Sequence, residues 1–118
     1  MDLLKNKEIK EVKSRLLQGM LEFIKDDENA DYSPDEVDQC DSILKDFLLN
    51  ASKLDNKDAF IQEVRKTVLA LNDLNEKVDC SIIETDQRED ICDILIYSGF
   101  LLGFNKKDED ITEEWREW

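Results

Sequence analysis

Residues 33–51, Ser-Pro-Asp-Glu-Val-Asp-Gln-Cys-Asp-Ser-Ile-Leu-Lys-Asp-Phe-Leu-Leu-Asn-Ala, contain the clearest fold signal in this chain. Ser33 is a typical N-cap, Pro34 suits the first helical position, and Glu36 completes a capping box. Apolar side chains then recur every three or four residues, at Val37, Cys40, Ile43 or Leu44, Phe47 and Leu48. This spacing predicts an amphipathic helix that runs from residue 34 to about residue 51.

The same periodicity predicts three further helices on either side of this one. The first spans about residues 3–25, with an apolar face at Ile9, Val12, Leu16, Met20 and Phe23, and with Leu17 and Ile24 beside it. The third opens at Asp55 and Asn56 and runs to about Lys77, with its stripe at Phe60 or Ile61, Val64, Val68, Leu71 and Leu74. The fourth spans about residues 86–102, with Thr85 as its expected N-cap. Between the third and fourth helices, Ile82 and Ile83 are expected to hold the linker to the core.

The fourth helix differs because residues 94–102 are apolar on nearly every side, which predicts a central, buried helix. Gly99 is expected to allow close helix contact, and Gly103 to end the helix. Residues 108–118 are expected to form a short helix. The predicted fold is therefore all-α: one domain, residues 1–118, built as a compact bundle of four principal helices plus a short C-terminal helical extension.

Composition supports helices, because only three glycines and one proline occur in 118 residues, and sheets with tight turns need more of both. The net charge is −14. Residues 1–25 carry four acidic and six basic side chains, whereas residues 26–118 carry 26 acidic and 10 basic ones. This charge argues against direct binding to nucleic acid or to an anionic membrane. It favours a cationic partner that docks on the later part of the chain. Alternatively, the acidic charge serves solubility alone.

Catalytic groups are scarce in this sequence. Histidine, the commonest general base and metal ligand, does not occur, and neither does a glycine-rich phosphate loop. We therefore expect no enzyme activity and no cofactor. Cys40, Cys80 and Cys92 are odd in number and lack CxxC spacing, and the N-terminus has no apolar signal-peptide core. Both features predict free thiols and a cytoplasmic location.

The segment from Asp27 to Asp38 resembles a calcium-binding loop, because oxygen-bearing side chains stand at alternate positions between two helices. However, Tyr32 occupies the sixth position, which requires glycine, and Asp38 replaces the glutamate of the twelfth. The capping box at Ser33 accounts for part of the same pattern without a metal. A calcium-responsive binding module is therefore an alternative function, and we expect no metal ligands.

The expected partner-binding surface combines the start of the fourth helix with the C-terminal residues. Its candidate residues are Glu84, Asp86, Glu89, Asp90, Asp108, Asp110, Glu113, Glu114, Trp115, Glu117 and Trp118. If the C-terminal residues are helical, Trp115 and Trp118 share a face. They either close the core or anchor a partner within an acidic rim. The acidic segment from Asp26 to Glu36 is a second candidate face.

Two segments carry a family resemblance. Ile83-Glu84-Thr85-Asp86-Gln87-Arg88-Glu89-Asp90-Ile91-Cys92 and Asp110-Ile111-Thr112-Glu113-Glu114-Trp115-Arg116-Glu117-Trp118 resemble small acidic helical immunity proteins of contact-dependent growth inhibition systems in Gram-negative bacteria. The resemblance covers about the last third of the chain. It implies an antitoxin that binds a basic toxin domain, commonly a nuclease or ribonuclease, and occludes its active site.

The physical features are compatible with that function, since a nuclease needs a cationic cleft that carboxylates can occupy. We expect a monomer that forms a 1:1 complex with its toxin. The main alternative is a helical adaptor or regulatory protein that binds a host partner, in which case the acidity serves solubility alone.

Overall fold

Four α-helices form the computed structural model, which describes all of residues 1–118: α1 (Lys7–Asp26), α2 (Pro34–Ala51), α3 (Lys57–Lys77) and α4 (Thr85–Leu101). A single 3₁₀ turn, Leu3–Lys5, precedes α1. The chain contains no strand. The all-α class and the four principal helices are therefore confirmed.

Local capping determines where the helices begin. The backbone N–H and the hydroxyl of Ser33 both donate to the Glu36 carboxylate at 2.9 Å, so α2 starts where the capping box predicts. Asn56 accepts the Ala59 N–H at 2.8 Å and starts α3. The expected cap of α4 is wrong by one residue. Glu84 is the N-cap there, because Gln87 reaches back to accept the Glu84 N–H at 3.1 Å.

Successive helices run antiparallel, as contacts between their ends demonstrate. The Leu3 N–H donates to Ser52 at the end of α2 (3.0 Å), and Lys77 at the end of α3 donates to Gln39 near the start of α2 (3.3 Å). α1 packs between α4 and α2, and α2 also packs on α3. The core side chains include the predicted stripes of α2 and α3 together with Ile82 and Ile83 of the linker.

Two burial predictions need correction. Phe23 is 40% exposed, because it lies near the end of α1 and stacks on the ring of Tyr32 (centroids 5.7 Å apart) instead of entering the core. α4 is not enclosed on every side, since only one of its faces packs on the bundle. Phe100 on its outer side is 42% exposed.

Gly99, within α4, and Gly103, just after its end, have separate roles. A Cβ atom on Gly99 would collide with the side chain of Asn105 and the ring of Phe60, so this buried position admits no larger residue without a shift. Its neighbours are thus a loop residue and α3. Gly103 has a φ of +81° and ends α4 as predicted.

The predicted C-terminal helix does not form. Residues 102–118 are a chain of turns that returns along α3 and α4, with one helical turn at Thr112–Arg116. Side chains form hydrogen bonds with backbone N–H and carbonyl groups that would pair with each other in a helix. Asp110 accepts the Thr112 N–H (2.9 Å), and Asn72 of α3 donates to the Trp115 carbonyl (2.8 Å) and accepts the Glu117 N–H (3.2 Å).

Candidate acidic binding surface

The antiparallel order brings the charged segments of the sequence to one end of the bundle. The end of α1, the start of α2, the end of α3 and the start of α4 all lie there. We define the acidic end as residues 26–38 and 76–90, which together carry thirteen acidic side chains and two basic ones. The segments at the opposite end, residues 1–13, 45–60 and 100–109, carry eight acidic and nine basic side chains. The charge is therefore strongly polarised between the two ends.

Two acidic faces that the sequence presents as alternatives are neighbours in the structure. Tyr32, in the loop before α2, is buried, and its hydroxyl donates to the Met20 carbonyl at 3.4 Å. Burial and the nearby carboxylate of Glu84 raise the pKa of Tyr32 to about 12. The loop from Asp26 to Glu36 thus adjoins the start of α4.

Three of the predicted site residues line one shallow cleft between α1 and α4. Asp86, Glu89 and Asp90 surround a space of about 310 Å³, opposite Arg15 and Gly19 of α1. Arg15 pairs with Asp90, at 2.6 Å between guanidinium nitrogen and carboxylate oxygen. Asp86 and Glu89 are exposed and form no ion pair.

The C-terminal residues reach the acidic end only with their last two positions. Glu117 and Trp118 line a cleft of about 320 Å³ with Glu76 and Cys80. Glu113 and Glu114 are exposed at the turn before them. Asp108 follows Lys107, and its neighbour Glu109 pairs with Lys57 at 4.0 Å, so this part of the predicted site belongs to the opposite end.

Asp110 has a role inside the chain. Partial burial would raise the pKa of its carboxyl group, but hydrogen bonds from Thr112 and the charge of Arg116 outweigh that effect and lower it. Arg116 lies 3.7 Å from this carboxylate and also donates to the sulfur of Cys92 in α4 at 3.1 Å. Asp110 therefore helps to fix the C-terminal segment on α4.

Both tryptophans are half-buried and pack against the hydrophobic core. The helical face that they were expected to share does not exist, because residues 116–118 are not helical. The Arg116 guanidinium lies 5.7 Å from the Trp118 ring centroid. The indole nitrogen of Trp118 is buried without an acceptor. These contacts are typical of residues that seal a core edge.

Most carboxylates of the molecule have no cationic neighbour. Six ion pairs form, and they engage five of the thirty acidic side chains. At the acidic end, Asp90 alone belongs to an ion pair. Glu36 is instead held by hydrogen bonds from the backbone and hydroxyl of Ser33, which lower the pKa of its carboxyl group. The negative charge of this end thus remains largely uncompensated.

The resemblance to a calcium loop does not produce a converging set of ligands. α2 begins at Pro34, in the middle of the segment, and Asp27 accepts the Asn29 N–H at 2.9 Å. The structure contains no group of three or more His, Cys, Asp or Glu side chains placed to hold a metal ion. The calcium alternative therefore has no preformed site.

Sequence reasoning missed a groove between α1 and α4, which we call the seam groove. It has a volume of about 290 Å³ and is lined by Glu8, Ile9, Val12, Asp93, Ile94, Ile96, Tyr97 and Lys107. The prediction that the apolar residues 94–102 make α4 a central, buried helix gave no reason to expect an open groove there. The available signal was Asp93 followed four residues later by Tyr97, because an acidic and an aromatic side chain at this spacing share one helical face.

Comparison with protein-family models, with curated proteins and with solved structures gave no match. The family resemblance stated for the last third of the chain therefore remains a prediction. None of the four helices combines the length and the apolar content needed to cross a membrane.

Proposed function

We propose that this protein is an immunity protein that uses its acidic end to bind a basic toxin domain and occlude that domain's active site. The observation that carries the proposal is the concentration of thirteen acidic and only two basic side chains at one end of the bundle. Two separately recognised acidic segments contribute to this end, and a single ion pair compensates it.

The binding mechanism would be electrostatic. A nuclease holds phosphate in a cationic cleft, and a convex surface rich in carboxylates competes for that cleft. Attraction between protein surfaces of opposite charge raises their association rate by about 10- to 1,000-fold, and this effect depends steeply on ionic strength. Such an inhibitor needs no chemistry of its own, because exclusion of the substrate is sufficient.

The neighbouring gene provides the test, since an immunity gene normally lies beside the gene for its toxin. The toxin domain encoded there is expressed with and without this protein, and cell growth and nuclease activity are measured. We expect restored growth and a 1:1 complex. Growth inhibition that persists in the presence of this protein, together with no complex at low salt, would contradict the proposal and favour the adaptor function.

Two variants with the same change in net charge locate the binding face. The first neutralises exposed acids at the acidic end: Asp31→Asn, Glu76→Gln, Asp86→Asn and Glu89→Gln. The second neutralises exposed acids elsewhere: Glu11→Gln, Asp46→Asn, Asp55→Asn and Asp108→Asn. We expect the first variant alone to lose protection.

A further inference from the structure

The seam groove combines two carboxylates with an apolar wall. Glu8 of α1 and Asp93 of α4 stand on its lining, and neither takes part in an ion pair. Partial burial raises the pKa of Asp93, and the nearby carboxylate of Asp90 adds to that effect, whereas the charge of Arg15 opposes it. A carboxylate that is partly desolvated and has no direct ion-pair partner gains from an incoming cation.

The aromatic wall of the groove already holds a cation. Lys107 places its ammonium nitrogen 5.8 Å from the ring centroids of both Tyr97 and Phe100, within the range of cation–π attraction. Those two rings stack on each other with centroids 6.1 Å apart. The flexible side chain of Lys107 is exposed, so an external cation that also reaches the carboxylates can replace it.

Arginine is the side chain that fits these features together. Its apolar stem suits the wall formed by Val12 and Ile96, and its planar guanidinium both stacks on aromatic rings and pairs with carboxylates. The groove is also continuous with the acidic end. Asp86, Glu89 and Asp93 follow at steps of three and four along α4, so about 10 Å of helix separates the first from the last.

We infer that the seam groove receives an arginine side chain of the protein partner, with its guanidinium between Glu8 and Asp93 and against Tyr97. This inference rests on the proposed function in one respect: the partner is the cationic domain that docks on the acidic end. The groove supplies the specific anchor, and the acidic end supplies the long-range attraction.

The test uses N-acetyl-L-arginine methylamide as the probe and needs no partner protein. Two-dimensional ¹H–¹⁵N NMR spectra of the full chain are recorded during the titration. We expect saturable shifts at Asp93, Ile96 and Tyr97. The uncharged isostere N-acetyl-L-citrulline methylamide should bind roughly tenfold more weakly, because hydrogen bonds to charged groups are the stronger ones.

Three variants make the result specific. Asp93→Asn should weaken binding of the probe by roughly tenfold, while Asp46→Asn, at an exposed position of α2 outside the acidic end, should leave its affinity unchanged. Lys107→Ala should strengthen binding, because it removes the competing cation. Unsaturable shifts spread over the acidic end, equal binding of citrulline, or equal effects of the two aspartate variants would overturn the inference. The toxin-protection assay tests the proposed function and this titration tests the groove. The failure of one proposal can therefore be distinguished from the failure of the other.

Discussion

The guanidinium of Arg15 in α1 lies 2.6 Å from the carboxylate of Asp90 in α4. This pair joins the helix richest in basic residues to the acidic first half of α4. The Arg15 side chain is 64% exposed, so water and salt screen the attraction. The main effect of the pair is therefore on the charge of the acidic end, because it compensates one carboxylate among the thirteen there.

Arg15→Ala tests that electrostatic role. The Arg15 side chain is 64% exposed but the Asp90 side chain is only 13% exposed, so the free energy of unfolding should fall modestly, because the substitution leaves a largely buried carboxylate without its cation. The association rate with a cationic partner at low salt should increase, since the acidic end becomes more negative. Stopped-flow fluorescence measures that rate. Lys7→Ala, at the opposite end, is the matched control and should produce a smaller increase; a slower association of Arg15→Ala would argue against docking at this end.

The capping box of α2 gives a prediction about pH. Glu36→Ala should lower the free energy of unfolding by about 1 kcal/mol near neutral pH, because Ser33 loses its acceptor. The pKa of Glu36 is lowered in the folded state from its ordinary value of 4.5. The stabilisation is therefore complete above pH 4.5 and disappears as the pH falls through the folded-state pKa.

Urea denaturation of both proteins at a series of pH values measures this difference. Comparison of the two proteins removes the contribution of the other carboxylates, which both share. A difference that stays constant into strong acid would show that the ionised carboxylate is not what stabilises the start of α2.

Two glycines provide an opposed pair of substitutions. A Cβ atom at Gly19 meets only the Gln87 amide at 3.6 Å, so Gly19→Ala should stabilise α1 by about 0.5–1 kcal/mol. At Gly99 the same atom collides with the Phe60 ring, so Gly99→Ala should destabilise the protein by about 1–3 kcal/mol. Thermal denaturation gives both values. A stabilised Gly99→Ala protein would contradict the packing described around α4.

The attachment of the C-terminal segment depends on Asn72, which is 5% exposed and binds the backbone of Trp115 and Glu117. Asn72→Ala should cost about 1–3 kcal/mol and loosen this segment. Both tryptophans of the chain, Trp115 and Trp118, lie in it, so tryptophan fluorescence reports on this segment alone. We expect a red-shifted emission and stronger quenching by acrylamide, with an unchanged far-ultraviolet circular dichroism spectrum.

Asn105→Ala is a useful comparison for that experiment. Asn105 also bonds backbone carbonyls, those of Ile96 and Lys106, but it lies before the tryptophans in the chain. Its loss should affect the end of α4 and leave the emission wavelength nearly unchanged. Equal red shifts in the two variants would show that Asn72 has no special role.

The sequence predicts the helices well because their signals are local. The box at Ser33 and Glu36 and the cap at Asn56 lie within four residues of the helix starts that they determine. The C-terminal segment was mispredicted because its conformation depends on Asn72, 43 residues before Trp115. No pattern within residues 108–118 contains that information.

The candidate site also combines features that the local sequence predicts with features that depend on contacts between distant residues. The acidic segments were recognisable from composition, but their convergence depends on the antiparallel order of the helices, which places Tyr32 near Glu84. The seam groove depends on how α1 and α4 are aligned, since Glu8 and Tyr97 are far apart in sequence. Asp108 and Asp110 were assigned to the site from their charge alone, and neither lies at the acidic end.

The most direct measurement of the central claim is the association rate of the proposed cationic toxin domain as a function of salt, for the wild type and the two charge-neutralised variants. Neutralisation of Asp31, Glu76, Asp86 and Glu89 should slow association by roughly tenfold at low salt and flatten its salt dependence. The control variant should remain within about twofold of the wild type, since its changes lie outside the attracting surface. Equal rates for the two variants would contradict docking through the acidic end.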